Sequence, residues 1–210
     1  MTGVDEHLVL HDGEVPARIA LTADVDPRAK VGPGSFVWHL AQIREYAQVS
    51  AGCIIGRGVY IGPGVIIGHN CKVQNLALIY EPALLEDGVF VGPAVVFTND
   101  SFPRAINLDG SRRSNDDWQP VGVTVRKGAS IGARAVCVAP ITIGRYALVA
   151  AGSVVTRNVP DYAMVMGVPA RHAGWVGRAG IPLVADADGV FVCPQTDERY
   201  VEHDGVLSPL

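Results

Sequence analysis

The run that decides the fold is Cys53-Ile-Ile-Gly-Arg-Gly-Val-Tyr-Ile-Gly-Pro-Gly-Val-Ile-Ile-Gly-His-Asn-Cys-Lys-Val73. Every sixth residue in it is a large aliphatic: Ile55, Ile61, Ile67 and Val73. Four residues after the first three come Val59, Val65 and Cys71, and directly after them Gly56, Gly62 and Gly68. Worked outward, the aliphatic series runs unbroken from Ile19 to Val91, and every member is Ile, Leu or Val. The companion series from Ala23 to Val95 is small or β-branched throughout. If about a quarter of positions are such aliphatics, chance produces the first series less often than roughly one time in ten million.

A period of six is neither the 3.6 of a helix nor the 2 of a long strand. It reads as short strands that turn at corners, with large aliphatics pointing inward and small residues filling the bends. Three such units close a triangular coil, and residue i then stacks on residue i+18 at the inter-strand spacing of about 4.8 Å. The pattern resembles the hexapeptide repeat of the left-handed parallel β-helix. The expected fold class is therefore all-β, a left-handed parallel β-helix of about six coils. A short C-terminal helix and tail complete it.

The period breaks after Phe97 and resumes at Val125, continuing through Ile131, Cys137, Ile143 and Val149 to Val155. Residues 98–124 are thus one long loop insertion, and long excursions from a compact repeat are often functional. The expected organisation is an N-terminal segment at 1–18, the β-helix at 19–160, and a C-terminal region at 161–210. In that last region a short helix is expected around Arg171–Arg178. Phe191-Val-Cys193 and Arg199-Tyr-Val201 suggest a β-hairpin.

Composition narrows the function classes. The chain has 210 residues with formal net charge −4, 17 basic and 21 acidic residues, which leaves no basic footprint for nucleic acid or an anionic membrane. Charged residues are only 18% against 49% hydrophobic, which agrees with surface covered by other copies of the chain. Met1 to Glu14 carries Asp5, Glu6, Asp12 and Glu14 and lacks the basic start and apolar run of a signal peptide. A cytoplasmic, reduced protein follows. Cys53 and Cys71 are eighteen apart and stack as interior small residues; distance allows a disulfide, but a reducing compartment disfavours one. Cys137 takes an aliphatic core position, and Cys193 has no convincing zinc partners.

Stacking by eighteen also groups polar residues. His39, Arg57, Asn75 and Pro93 share one edge, while Arg44, Gly62, Tyr80 and Thr98 share another, with Glu45, Pro63, Glu81 and Asn99 beside it. The insertion leaves at Thr98, so Tyr80, Glu81, Asn99 and Asp100 gather at its root as candidate substrate ligands. The competing reading is a solvated face or a subunit contact, and for Asn75 a corner-capping side chain.

Several runs are more specific than the repeat: Val37-Trp-His39, Cys71-Lys-Val-Gln-Asn75, Ile79-Tyr-Glu81, Leu85-Glu-Asp-Gly-Val-Phe-Val-Gly-Pro93, Phe97-Thr-Asn-Asp100, Pro103-Arg-Ala105, Gly167-Val-Pro-Ala-Arg171 and Gly174-Trp175. Together they resemble the nucleotide-sugar N-acetyltransferases. They are most like those acetylating the 3-amino group of UDP-2-acetamido-3-amino-2,3-dideoxyglucuronate, with the dTDP-3-amino-3,6-dideoxyhexose enzymes as near relatives. Members often carry two adjacent Asn residues where this chain has Asn75-Leu76.

The resemblance implies a homotrimer with acetyl-CoA as cosubstrate, no metal, and a nucleotide sugar as acceptor. It implies that Asn75 stands near the reacting centre, with His39 as the lesser candidate for a base. Arg44, Tyr80, Glu81, Asn99, Asp100 and Arg104 are the substrate-binding candidates. Backbone groups at Ala133 and Ala151 are expected along the pantetheine, and Lys127, Arg145 and Arg171 near phosphates. A sugar amine has a sizeable neutral fraction near pH 7–8, so it can attack a thioester without a strong protein base. Three other functions compete: an O-acetyltransferase, which needs a histidine base; a γ-class carbonic anhydrase, which needs three histidines on zinc; and a non-catalytic binding repeat.

Overall fold

The computed structural model describes residues 6–9 and 15–210. The reading of Met1–Glu14 as lacking a leader lies outside the described residues, apart from the strand Glu6–Val9.

Three parallel sheets form the faces of a triangular prism, and their strands succeed one another in rotation along the chain. Face one runs through Ala17–Ala20, Phe36–Val37, Ile54–Ile55, Lys72–Val73, Phe90–Val91, Ser130–Ile131, Leu148–Val149 and Ala163–Gly167. Face two has seven strands, from Asp24–Val25 to Val154–Val155, and face three has six, from Lys30–Val31 to Ile141–Ile143. Register follows the repeat: Val73 pairs with Ile55 on one side and Val91 on the other. This is the parallel β-helix that the hexapeptides require.

The inward aliphatics and the small corner residues make one continuous core. Ile55, Ile61, Ile67, Val73, Ile79, Leu85 and Val91 are fully buried, as are Cys53, Cys71 and Ala77. Each such aliphatic contributes about 1.5–3 kcal/mol by leaving water. Cys53 and Cys71 are free thiols, and their sulfurs donate to the carbonyls of Gly68 and Glu86 at 3.1 and 3.2 Å. Cys137 is buried among hydrocarbon, which pushes its thiol pKa up to about 12.

The excursion does not disturb the rotation. Leu85 pairs with Val125 and Val91 with Ile131, so the chain leaves face two after Phe97 and re-enters on face three, the face due next. The loop is tied at its neck, where Val121 N–H donates to the carbonyl of Asn99 at 2.9 Å.

The expected helix around Arg171–Arg178 is not formed. Ala163–Gly167 joins face one as a further parallel strand, and Ala170–Trp175 turns back antiparallel on it. A helix there would leave the hydrogen-bonding edge of the last strand open, and the returning strand closes it. Gly167, at φ 99°, supplies the turn. The hairpin expected from Phe191 and Tyr200 is present, since these two residues pair, within a four-stranded antiparallel sheet that also includes Val184–Ala185 and Val206–Pro209.

Candidate functional site

The corners of the coils form three edges, and the candidate residues divide among them. The first edge, between faces one and two, carries His39, Arg57, Asn75, Ala133 and Ala151 in register. His39 is exposed, with Nδ1 2.9 Å from Thr22 Oγ1. Asn75 Oδ1 accepts the backbone N–H of Arg57 at 2.9 Å. The third edge repeats this arrangement: Asp87 Oδ1 accepts from His69 N–H at 2.7 Å, and Asp161 Oδ1 from Arg145 N–H at 2.8 Å. Corner capping is therefore what the Asn75 oxygen does, while its amide N–H groups have no partner among the described residues.

Beside that cap lies a shallow hollow of about 270 Å³ lined by Trp38, Ile54, Gly56, Arg57, Gln74 and Asn75. Two and three coils further, at about 10 and 14 Å by strand spacing, the backbone N–H groups of Ala133 and Ala151 donate to no group among the described residues. The residues one coil beyond them are Ala151 and Gly167, which offer no side-chain acceptor. Edge one thus presents an amide and a row of unpaired backbone donors, the equipment for binding carbonyl oxygens.

The second edge, between faces two and three, carries the root of the loop. Arg44 and Glu45 form a partly exposed ion pair at 2.9 Å, a contact of small energetic weight. The rings of Tyr60 and Tyr80 lie 5.0 Å apart at 47°. Burial, and then the neighbouring Glu81 charge, hold the Tyr60 phenol above its ordinary pKa. Glu81 Oε2 is buried with no hydrogen-bond partner among the described residues. Thr98 Oγ1 accepts Ala139 N–H at 3.0 Å, and Asp100 Oδ1 accepts Phe102 N–H at 2.7 Å to start the loop with a tight turn. Arg104 is exposed and its guanidinium donates to Pro103 O at 2.8 Å.

Sequence reasoning missed the residue that organises the excursion. Arg113 bridges it, donating to the carbonyls of Phe102 and Asp117. Nothing in a lone arginine within a polar run marks it. It also missed the corner cap as a rule, although the signal was present: Gly56, Gly62 and Gly68 are each followed nineteen residues later by Asn75, Glu81 and Asp87. The remaining candidates stand apart. Lys127 and Arg145 are exposed on the third edge, where their backbone N–H groups are capped by Glu86 and Asp161. Arg171 is exposed on the returning strand at the C-terminal end of face one, paired with Met166.

The fold and its corners define a β-helix built on the hexapeptide repeat. The chain matches the hexapeptide repeat of succinyl-transferase over residues 49–75 and 121–157. It is 51% identical over 86 residues to the dTDP-3-amino-3,6-dideoxy-alpha-D-galactopyranose 3-N-acetyltransferase of Aneurinibacillus thermoaerophilus, covering 41% of this chain and 44% of that one. It is 42% identical over 77 residues to the serine acetyltransferase of Haemophilus influenzae, covering 36% of this chain and 28% of that protein. The matched stretch thus spans less than half the length of either relative. Among solved structures, the LpxA UDP-N-acetylglucosamine acyltransferase of Bacteroides fragilis superposes with a TM-score of 0.61 at 17% identity, over 76% of this chain and 61% of that one. That likeness shows the shared fold. All three are acyltransferases by name.

Proposed function

We propose that the protein is a cytoplasmic, homotrimeric, acetyl-CoA-dependent N-acetyltransferase acting on the amino group, at C3, of a nucleotide-linked amino sugar, with a UDP-sugar favoured. The observation that carries it is the 51% identity over 86 residues to a nucleotide-sugar 3-N-acetyltransferase. The geometry supports it. Edge one offers Asn75 and, two and three coils away, the free N–H groups of Ala133 and Ala151, a spacing that suits a pantetheine arm lying along the coils. Edge two offers the polar residues and the loop that suit a sugar. One chain separates these edges by a full face, so the two sets meet when edge one of one copy faces edge two of the next.

The chemistry asks little of the protein. The neutral amine attacks the thioester carbonyl, a C–N bond forms, the C–S bond breaks, and the amine proton leaves with the thiolate or to solvent. Asn75 orients the amine or the tetrahedral intermediate, and a backbone N–H polarises the carbonyl. Arg44, Tyr80, Glu81, Asn99, Asp100 and Arg104 hold the acceptor. Arg171, at the end of face one, is the cation proposed for a CoA phosphate, with Lys127 and Arg145 on the third edge as weaker candidates.

A second reading has its own observation. His39 Nδ1 is engaged with Thr22, which orients the ring; in the tautomer whose Nδ1–H donates to Thr22 Oγ1, Nε2 is a base for a hydroxyl acceptor. The deciding experiment is CoA-thiol release from acetyl-CoA with UDP- and dTDP-linked 3-amino and 4-amino sugars, and with hydroxyl acceptors, using wild type and Asn75→Ala. Turnover on a 3-amino sugar that collapses in the variant supports the N-acetyl reading. Turnover confined to a hydroxyl acceptor and lost in His39→Ala replaces it.

A further inference from the structure

Three Gly corners share one form of cap, and a fourth Gly corner approaches it but cannot complete it. At Gly56-Arg57, Gly68-His69 and Gly144-Arg145, an Asn or Asp from the next coil folds its oxygen over the glycine and accepts the N–H of the residue after it. The glycine leaves room for both the next coil's backbone and the incoming oxygen: a Cβ would meet Asn75 N and Oδ1 at 2.6 Å at Gly56, and Asp87 Oδ1 at 2.6 Å and N at 2.7 Å at Gly68. At the fourth corner Glu81 makes the same approach, and a Cβ on Gly62 would collide with its Oε2. The residue after Gly62 is Pro63, which has no N–H.

The consequence is on record in the hydrogen bonding. Glu81 Oε2 is the one buried side-chain oxygen or nitrogen without a partner among the described residues that are not fully exposed. The other two Gly-Pro corners, Gly32-Pro33 and Gly92-Pro93, face Ala51 and Ala133 one coil on, so neither strands an acceptor. The combination of proline and acid occurs only at Gly62-Pro63. Glu81 sits one coil before Asn99, the neck of the excursion, and next to Tyr80 of the Tyr60–Tyr80 pair. A buried acceptor left unsatisfied is unfavourable, and a broken local rule of this kind marks a site selected for something other than stability.

We propose that Glu81 is a specificity-determining residue: its carboxylate turns off the Gly62-Pro63 corner to accept a hydrogen bond from a hydroxyl of the acceptor sugar at the neck of the 98–124 excursion. This rests on the acceptor class proposed above and adds which group of the sugar is read. A hydroxyl is the fitting donor, because a carboxylate against the reacting amine would favour its ammonium form and suppress attack. Proline at position 63 keeps the resting position weak, so the side chain is free to answer the ligand.

Two substitutions test it. Pro63→Ala restores the missing N–H at a corner geometry that Arg57, His69 and Arg145 already adopt, and locks Glu81 in a cap. Glu81→Gln keeps the shape and removes the charge. The melting temperature of Pro63→Ala is compared in Glu81 and Glu81→Ala backgrounds, which cancels the change in unfolded-chain entropy. KM for the amino sugar and for acetyl-CoA is measured separately. The expected result is a rise of about 2–4 °C from Pro63→Ala that vanishes without Glu81. KM for the sugar rises about tenfold in both Pro63→Ala and Glu81→Gln, on the order of a hydrogen bond to a charged group, with KM for acetyl-CoA unchanged. Absence of the thermal coupling overturns the vacant cap. An unchanged sugar KM in both variants overturns the role in recognition. If wild type neither binds nor turns over any nucleotide amino sugar by calorimetry, the acceptor reading fails and takes the hydroxyl assignment with it, while the thermal cycle still reports on the corner.

Discussion

Asn75 and Arg57 are joined across one coil by a single hydrogen bond, from the Arg57 backbone N–H to Asn75 Oδ1 at 2.9 Å. The asparagine proposed for catalysis therefore also holds a corner. Asn75→Ala removes both roles, so it reports that Asn75 matters without separating catalysis from corner capping. Asn75→Asp separates them, because Asp87 and Asp161 show that a carboxylate caps equally well. Asn75→Asp is expected to melt within about 1 °C of wild type, as a preserved cap implies. Its thiol release is expected to fall by about 10²-fold, the scale of losing a positioned donor. Asn75→Ala is expected to lose about 1 kcal/mol of stability as well. Scanning fluorimetry beside the thiol assay checks both.

The next residue makes a prediction of its own. Leu76 stands at φ 62° and is 62% exposed, so it has the left-handed conformation without burial in return. That conformation costs an ordinary residue about 1–2 kcal/mol, and asparagine less. Leu76→Asn is expected to raise the melting temperature by about 2–4 °C. A lower value would mean that the Leu76 side chain, which fills the space a Cβ on Gly58 would take, contributes more than the backbone relief.

How far the sequence could be read depends on which residues repeat. Ile55 and Val73 announce their pairing because an inward aliphatic every sixth residue has no other explanation, and the end of that series at Phe97 announces the excursion. Non-repeating segments carried less. Arg171–Arg178 looked helical for want of a repeat. Ala170–Trp175 is a strand because the open edge of Ala163–Gly167 needed a partner, a tertiary demand that no local residue states. The site was legible as ladders, since stacking by eighteen placed Asn75 with His39 and Glu81 with Asn99. That a side chain such as Asn75 is already engaged with its own backbone depends on three-dimensional reach, and the spacing of nineteen from Gly56 showed it only once one corner had been seen.

Inside the excursion, Arg113 donates to the carbonyls of Phe102 and Asp117 and so joins the two limbs of the loop. Arg113→Ala is expected to loosen residues 98–124 without touching the coils. Melting temperature should hold, protease cleavage within the loop should quicken, and KM for the acceptor should rise several-fold while KM for acetyl-CoA stays. Equal changes in both constants would place the loop on the cofactor side.

The C-terminal sheet is attached through Tyr200, which is fully buried against Tyr162, accepts Arg178 N–H at 3.1 Å and donates to Glu198 Oε2 at 2.7 Å. Arg178 and then Tyr200 hold the Glu198 carboxyl below its ordinary 4.5. A folded-state pKa below the unfolded one means that the contribution is fully present above pH 4.5. It is lost as the pH falls through the depressed folded value, where the folded carboxylate must take up its proton. Hydrogen exchange across Arg199–His203 should therefore accelerate as the pH is stepped down below the carboxylate range, before the coils of the β-helix respond. Arg178→Ala should bring that acceleration to higher pH, since it removes the main cause of the depression. Tyr200→Phe should loosen the sheet at every pH, because it strands the Arg178 N–H, a cost of about 1–3 kcal/mol. If the exchange of Arg199–His203 follows the coils at every pH, the tail unfolds with the β-helix as one unit and these contacts do not govern it.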